Sequence, residues 1–291
     1  MRAFRGWSLL SLIAASLQLQ AVNEDDAPGY RATYPTQVVQ AEQLTVVPAH
    51  TRKGPCSYGD TTAFVSTNIH TTAGGTTDAI IGARRVHLGL GKKTSPRGLL
   101  YGILGCNVDY RGLEEWDWIG NIVVQPRLSG SDIARGTRYI AALNGRFSAT
   151  ASTGLHVGLY SEVGMRASII HPLLGIDYTV GTWQIQAVYP IKAGILYQGF
   201  RSHGFSVMVR PIYTALRLHK ALHDRPGIGC YKATGLEFRW DYAPTRRWNL
   251  WASVGSTIFG TLTLGDKHNN HRHHIHLHRS PYFNIGVTCG I

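Results

Sequence analysis

The feature that most constrains this chain is an apolar/polar alternation of period two, sustained over segments of about 9 to 13 residues. In a strand successive side chains point to opposite faces, so each such segment offers one apolar and one polar face along its whole length. Phe283, Ile285, Val287, Cys289 and Ile291 oppose Asn284, Gly286, Thr288 and Gly290. Trp248, Leu250, Ala252, Val254 and Ile258 oppose Asn249, Ser253, Gly255 and Thr257, and Leu236, Phe238, Trp240 and Tyr242 oppose Glu237, Arg239 and Asp241. The same pattern runs through Leu155 to Met165, Tyr139 to Phe147 and Trp118 to Val124, and further segments start near 62, 79, 99, 168, 183, 193 and 205. Strands of soluble domains usually run about five or six residues, whereas a tilted strand crossing a bilayer needs about 9 to 11. The segments therefore predict strands of membrane-crossing length.

Composition narrows the alternatives. The 291 residues include 33 Gly and 14 Tyr, and no apolar run reaches the roughly 18 to 20 residues that a membrane-spanning helix needs. Aromatic and β-branched residues are too plentiful for a disordered chain. Connections alternate as well: tight turns at 151–154, 181–182, 202–204 and 244–247 interleave with longer stretches at 128–137, 219–229 and 260–281. Aromatics gather near strand ends, at Trp116, Trp118, Trp183, Trp240, Tyr242, Trp248, Tyr282 and Phe283, where amphipathic rings suit a membrane interface. A secreted β-sandwich would also alternate. Strand length, the near absence of Lys on strand faces (Lys192 and Lys232 are the exceptions), and faces rich in Arg, Glu, Asp and Asn favour a barrel with a polar lumen.

The N-terminus reads as an export leader: Arg2 and Arg5, then an apolar stretch from Trp7 to Leu17, then small residues suited to cleavage by Ala21. The expected organisation is a leader over 1–21, an extended periplasmic segment over 22–58, and a barrel over 59–291. With its leader and its strand and loop rhythm the chain resembles bacterial outer-membrane β-barrel proteins as a class. The stretch Pro172-Leu173-Leu174-Gly175-Ile176-Asp177-Tyr178 through Trp183 to Tyr189-Pro190 is similar to a motif of small uncharacterised barrel families, including those of chlamydia-like bacteria. The resemblance implies an all-β, antiparallel, up-and-down transmembrane barrel in the bacterial outer membrane, inserted by the barrel-assembly machinery, with both termini in the periplasm and with 219–229 and 260–281 outside. That class most often ends in Phe, and Ile291 departs from it. About 12 strands are expected, within 12–14. The range reflects two undecided places, Thr36 to Val47 and the Pro190-Ile191-Lys192 step.

The alternation predicts that Arg85, His87, Arg127, Arg138, Arg146, Arg166, Arg210 and Arg239 point inward, with Asp109, Asp117, Glu162, Asp177, Glu237 and Asp241 among them. Arg on a lipid-facing midplane would cost about 2 to 4 kcal/mol, so these charges belong in the lumen. There they either form a salt-bridged filling or line a constriction that favours anions. The net charge of +12 fits an anionic partner, but the basic residues are scattered through strands, which excludes a nucleic-acid patch. His274, His276 and His278 share a face if their segment is extended, and imidazoles could capture zinc, copper or nickel there, although Arg272 and Arg279 oppose a cation. Cys56, Cys106, Cys230 and Cys289 have no metal-site spacing, and pairing, crosslinking and free thiols stay open. No local catalytic motif and no cofactor motif is present, and a lipid-acting barrel enzyme built from His156, Ser161 or Ser253 is a distant third reading. The leading expectation is a passive channel for small, preferably anionic solutes. The rival is a closed barrel that anchors contact loops at the surface.

Overall fold

The computed structural model describes residues 37–51, 54–90, 98–113, 115–128, 136–164, 167–190, 192–222, 225–245, 247–266 and 273–291. The expected leader, Arg166 and Arg272 lie outside the described residues. Among those described, the chain is a single antiparallel sheet closed on itself: β1 (Gln37–Thr51), β2 (Gly54–Thr72), β3 (Gly75–Leu90), β4 (Leu99–Leu113), β5 (Trp116–Gln125), β6 (Arg138–Thr150), β7 (Thr153–Gly164), β8 (Ala167–Val180), β9 (Trp183–Tyr189), β10 (Lys192–Tyr197), β11 (His203–Leu222), β12 (Arg225–Thr245), β13 (Trp248–Asp266), β14 (His273–Leu277) and β15 (Pro281–Gly290). Consecutive strands pair from β1 to β13, and β15 closes the ring between β13 and β1, in register from Val38↔Gly290 to Val46↔Tyr282. The short β14 pairs with β13 farther along the edge that β15 occupies, Gly260↔Leu277 to Leu264↔His273.

The ring thus has 14 strands plus this extra one, not about 12. Both additions fall where the sequence reading stopped short. Gln37–Thr51 is β1 and belongs to the barrel wall, so the barrel starts upstream of residue 59. Its polar face, Gln40 and Glu42, hid the alternation with Val39 and Ala41. Pro190 sits at a turn between two strands, since a residue that cannot donate to a ladder fits best where the ladder ends. The tight turns at 151–152 and 181–182 occur where expected, the second with Gly181 at φ 58°, a left-handed conformation that glycine adopts without strain. The stretch 219–229 is not a loop: β11 and β12 continue through it as one ladder to Leu222↔Arg225. Residues 260–266 and 273–277 are likewise strand.

β1 starts and β15 ends at one pole of the barrel, called here the terminal pole, and β13 ends and β14 starts at the opposite, loop pole. The outer surface carries exposed large apolar side chains all round, among them Ile81, Leu104, Ile122, Leu143, Leu159, Leu174, Ile185, Val207, Phe238, Val254 and Ile285. In water such a continuous band would be costly, and in a bilayer it is matched to hydrocarbon. At the terminal pole it ends in aromatics: Trp116 stacked on Trp118, Trp183 against Tyr197, and His203 with Trp240 and Tyr242. No helix among the described residues is long and apolar enough to cross a membrane.

Wall height is uneven. β11, β12 and β13 have 20, 21 and 19 residues, while β9 has 7 and β10 has 6. In the loop half, Ile212 to Leu216 of β11 are all buried, on both faces of the strand. Both faces contribute to an apolar cluster with Leu44, Val46, Tyr58, Val86, Leu88 and Tyr101 of β1 to β4. Tyr213, on one of them, is within electrostatic reach of Arg138, Tyr160 and Glu162 on β6 and β7. The upper β11–β12 hairpin therefore leans into the lumen between the two walls.

Candidate functional site

The lumen is the candidate site, and it changes character along the axis. In the terminal half the inward side chains are mostly polar, including Gln40, Asn68, Asn107, Asn144, His156, Gln184, Gln186, Ser206 and Asn249, many of them partly accessible. Inward glycines leave room for rings: a Cβ on Gly286 would sit 2.0 Å from the Trp251 indole, and Tyr282 lies over Gly235 and Gly255. This is the aromatic filling of glycine gaps that pins strand register.

Above that comes a belt of ion pairs built on a recurring unit. Tyr58 Oη donates to Asp60 Oδ2 at 2.8 Å, and Arg84 Nε donates to Asp60 Oδ1 at 2.9 Å. Tyr160 Oη donates to Glu162 Oε2 at 3.1 Å, and Arg138 Nε donates to Glu162 Oε1 at 3.0 Å. In both, Tyr and carboxylate are two residues apart on one strand face, and the Arg comes from the adjacent strand. A third arrangement crosses the lumen. Arg210 Nη2 of β11 donates to Glu42 Oε1 of β1 at 2.6 Å, and its Nη1 lies 3.8 Å from Glu237 Oε2. Asn284 donates to Glu42 at 2.8 Å, and Ser253 and Tyr282 each donate to Glu237 at 3.2 Å. Nearer the terminal pole, Arg146 Nε donates to both oxygens of Asp177 at 2.9 Å, His156 Nε2 is 3.7 Å from Asp177 Oδ1, and Arg239 pairs with Asp241 while lying 4.9 Å over the Trp251 ring.

The loop half is apolar inside. Leu44, Val46, Tyr58, Val86, Leu88, Leu99, Tyr101, Ile228, Tyr231, Leu262 and Leu264 pack into one cluster with the β11 residues, and Tyr58 stacks on Tyr231 at 4.6 Å from across the ring. A second apolar patch, including Ile103, Val123, Ile140, Leu173 and Val188, lines the wall from β2 to β9.

Of the side chains expected inward, Arg127, Arg138, Arg146, Arg210, Arg239, Glu162, Asp177 and Glu237 face the interior, each paired as described except Arg127, which is buried beside the Tyr101 bridge. Arg85 is a correction: it is exposed on the outer face with His87, while Arg84 is buried and ion-paired. Val86 and Leu88 look lipid-facing by polarity, but they point inward into the apolar cluster, which inverts the phase of the whole segment. Sequence reasoning missed Glu42, Asp60, Arg84 and Lys192. Tyr-x-Asp at 58–60 and Tyr-x-Glu at 160–162 were the available signals. With these included, Arg84, Arg111, Arg127, Arg138, Arg146, Lys192, Arg210 and Arg239 face Glu42, Asp60, Asp78, Asp109, Asp117, Glu162, Asp177, Glu237 and Asp241, and the inward-leaning hairpin adds Arg217 and Lys232 on the face of Tyr213, so the described interior is near even in charge. Lys192 makes no ion pair among the described residues.

The remaining candidates separate. His156 and Ser161 are on opposite faces of β7, and the Ser253 hydroxyl is taken by Glu237. His274 and His276 lie on the exposed face of β14, with Thr263 Oγ1 3.0 Å from His274 Nδ1, and His278 follows the strand end. No group of three metal-competent side chains is assembled among the described residues. The four cysteines form no disulfide.

No family model matches this sequence, and no curated protein does. Among solved structures it is similar to a bacterial polysaccharide outer-membrane secretin (10% identity, 89% of this chain and 99% of that one, TM-score 0.43). It is also similar to the translocator domain of the autotransporter NalP from Neisseria meningitidis (12%, 97% and 96%, 0.42) and to outer-membrane-expressed OmpT of Vibrio cholerae (10%, 87% and 96%, 0.39). At these scores the likenesses add nothing to the geometry. The closed ring, which satisfies backbone groups without an edge, and its apolar belt make the chain an outer-membrane β-barrel.

Proposed function

We propose that this barrel is a gated channel for small polar solutes, shut in the state described. The observation that supports the reading is the abrupt end of the polar half-lumen against the apolar cluster around Tyr58, Tyr231 and Leu216. Water and ions do not cross a dry, close-packed core, so passage requires the inward-leaning β11–β12 hairpin to move. The near-even interior charge supports weak ion selectivity, and a preference for anions would have to rest on Lys192. The same closed interior also suits the rival reading, a barrel that only anchors its loop pole.

Conductance of the refolded full chain in a planar bilayer separates them. The native protein is expected to be silent apart from rare openings, and the double variant Tyr58→Ala, Tyr231→Ala, checked for folding by its faster migration on unboiled gels, should show steady steps. Constant open steps in the native protein would overturn gating. Silence in both would overturn the channel and leave the anchor.

A further inference from the structure

Arg85 and His87, the two side chains that turn out of the lumen, stand in a local interruption of the apolar belt. Cross-strand pairing sets the outward residues of β15, β1, β2, β3 and β4 in rows. One row reads Ile285, Gln43, Thr61, Arg85, Leu100, and the next toward the loop pole reads Phe283, Thr45, Gly59, His87. Ile285, Phe283 and Leu100, at the ends of these rows, are large exposed apolar side chains. Between them, every outward residue that β1, β2 and β3 contribute is polar or glycine. Gln43, Thr61 and Arg85 are exposed, and Thr45 and His87 are half-buried. Farther round the ring, on β6 to β8, the outward positions near the loop pole are Tyr139, Val163 and Ile170, all exposed.

The patch sits at headgroup height. Gly75↔Tyr110 pairs β3 with β4 at the terminal pole, where Tyr110 is an exposed ring, and Arg85↔Leu100 lies ten residues up the same ladder. At a tilt of about 35–45°, ten residues rise roughly 23–28 Å, against an apolar band about 25 Å tall. Arg85 therefore lies at the loop-side edge of the band, where an outward Arg is tolerated, and not at the midplane, where it is costly. Its side chain also leans toward the loop pole: a Cβ on Gly98, the residue before β4 begins, would sit 2.6 Å from Arg85 Nε. Long basic side chains reach for the headgroups in this way.

The charge of the patch has no counterpart on the protein. Among the described residues neither Arg85 nor His87 makes an ion pair. Glu42, Asp60, Asp78 and Asp109 of β1 to β4 face the interior, and the sequence has no Asp or Glu between Asp78 and Asp109. What the wall presents is a guanidinium, an imidazole, an amide and two hydroxyls, a set rich in donors and without a carboxylate. Such a set matches phosphate oxygens, which a guanidinium can meet two at a time. A second copy of the chain docked face to face would instead set Arg85 against the same cationic surface. One row nearer the terminal pole, Ala41, Ala63 and Ala83 have short side chains that let an acyl chain lie close to the sheet. We propose that Gln43, Thr45, Thr61, Arg85 and His87 bind the phosphate of a membrane lipid in the loop-side leaflet, with its chain over the alanine row. The site is on the outer wall and does not depend on whether the lumen conducts.

Native mass spectrometry of the refolded full chain in a neutral detergent, titrated with dioleoylphosphatidylglycerol, tests the site. The native chain is expected to hold one lipid more tightly than those that follow. The double variant Arg85→Ala, His87→Ala removes outward side chains, and its folding is checked by faster migration on unboiled gels. Its affinity for that first lipid should fall roughly tenfold, as loss of charge-assisted hydrogen bonds does. Dioleoylglycerol, with the same chains and no phosphate, should show no preferred first step. Unchanged phosphatidylglycerol binding in the folded double variant, or equal uptake of dioleoylglycerol by the native chain, would overturn the site. Displacement of the lipid by an equal concentration of inorganic phosphate would overturn it as a lipid site and leave a site for free anions. Dimers of the native chain that vanish in the double variant would overturn it as well, and would make the patch an interface between copies.

Discussion

Replacing Arg210 with Met tests the ion pair that crosses the lumen. Arg210 and Glu42 come from β11 and β1, which are separated around the ring by three strands, so the bond ties non-neighbouring parts of the wall together. The two side chains are 17% and 13% exposed, which puts the pair between surface and fully buried behaviour. Breaking a buried pair by removing one partner costs about 3–5 kcal/mol, and the partial exposure selects the lower end, about 3 kcal/mol. That corresponds to roughly a hundredfold in the folded-to-unfolded ratio. Most of the loss comes from Glu42 and Glu237, both left facing the space vacated by the cation, although Asn284, Ser253 and Tyr282 still donate to them. Glu42→Gln keeps an acceptor for Arg210 and Asn284 and should cost only about 1–2 kcal/mol. In the double variant no stranded Glu42 charge remains, so its loss should fall short of the sum of the singles by about 1–2 kcal/mol, as coupled neighbours do. Urea unfolding of the full chain in vesicles measures all three. A loss below about 0.5 kcal/mol for Arg210→Met, or strict additivity in the double, would refute a cross-lumen bond of this strength.

Arg84→Met should destabilise by about 3–5 kcal/mol in the same assay because it strands Asp60, and adding Asp60→Asn should restore part of the loss; equal losses with and without the second change would mean the pair is not coupled. Gly286→Ala, whose new methyl group would sit against the Trp251 ring, should cost about 1–3 kcal/mol, and pairing it with Trp251→Leu should be less than additive by denaturant midpoint. Zinc titration by calorimetry at pH 7.5 should show weak binding at best, lost on replacing His274, His276 and His278 together with Asn, because β14 presents its imidazoles on an open strand face without carboxylate support. Tight stoichiometric binding would show that the histidine segment forms a real metal site.

Much of the wall was legible in the sequence because one physical rule governs it: strand side chains alternate, and a bilayer demands that one phase be apolar. Phe283 and Ile285 obey that rule, as do Leu155, Val157 and Leu159, and all five are exposed on the outer surface. The rule misleads where the inside is apolar too. Arg85 was assigned to the lumen because Val86 and Leu88 looked lipid-facing, and the apolar filling of the loop half reverses that phase. Strand number failed for a related reason. In β1 the inward Glu42 is matched by partners far away in sequence, Arg210 and Asn284, and a local pattern carries no trace of them. The site was legible in parts, since the inward Arg and Glu followed from parity, but which carboxylate each Arg meets depends on register and on ring closure.

The two halves of the interior also explain how one chain can hold so many charges in its lumen. Glu42, Asp60, Glu162 and Glu237 are each met by a Tyr, Ser or Asn as well as by an Arg, so these charges are committed to holding strands in register. Buried ion pairs give little net stability but penalise wrong pairings heavily, because a slipped register would strand every charge in the belt. The apolar cluster above contributes the converse, non-directional stabilisation that tolerates sliding. A hairpin held on its terminal side by directional pairs and on its loop side by apolar contacts can therefore shift at the loop pole while the belt keeps its register. That division of labour is what the proposed gating requires, a β11–β12 hairpin free to move in a barrel whose wall stays closed.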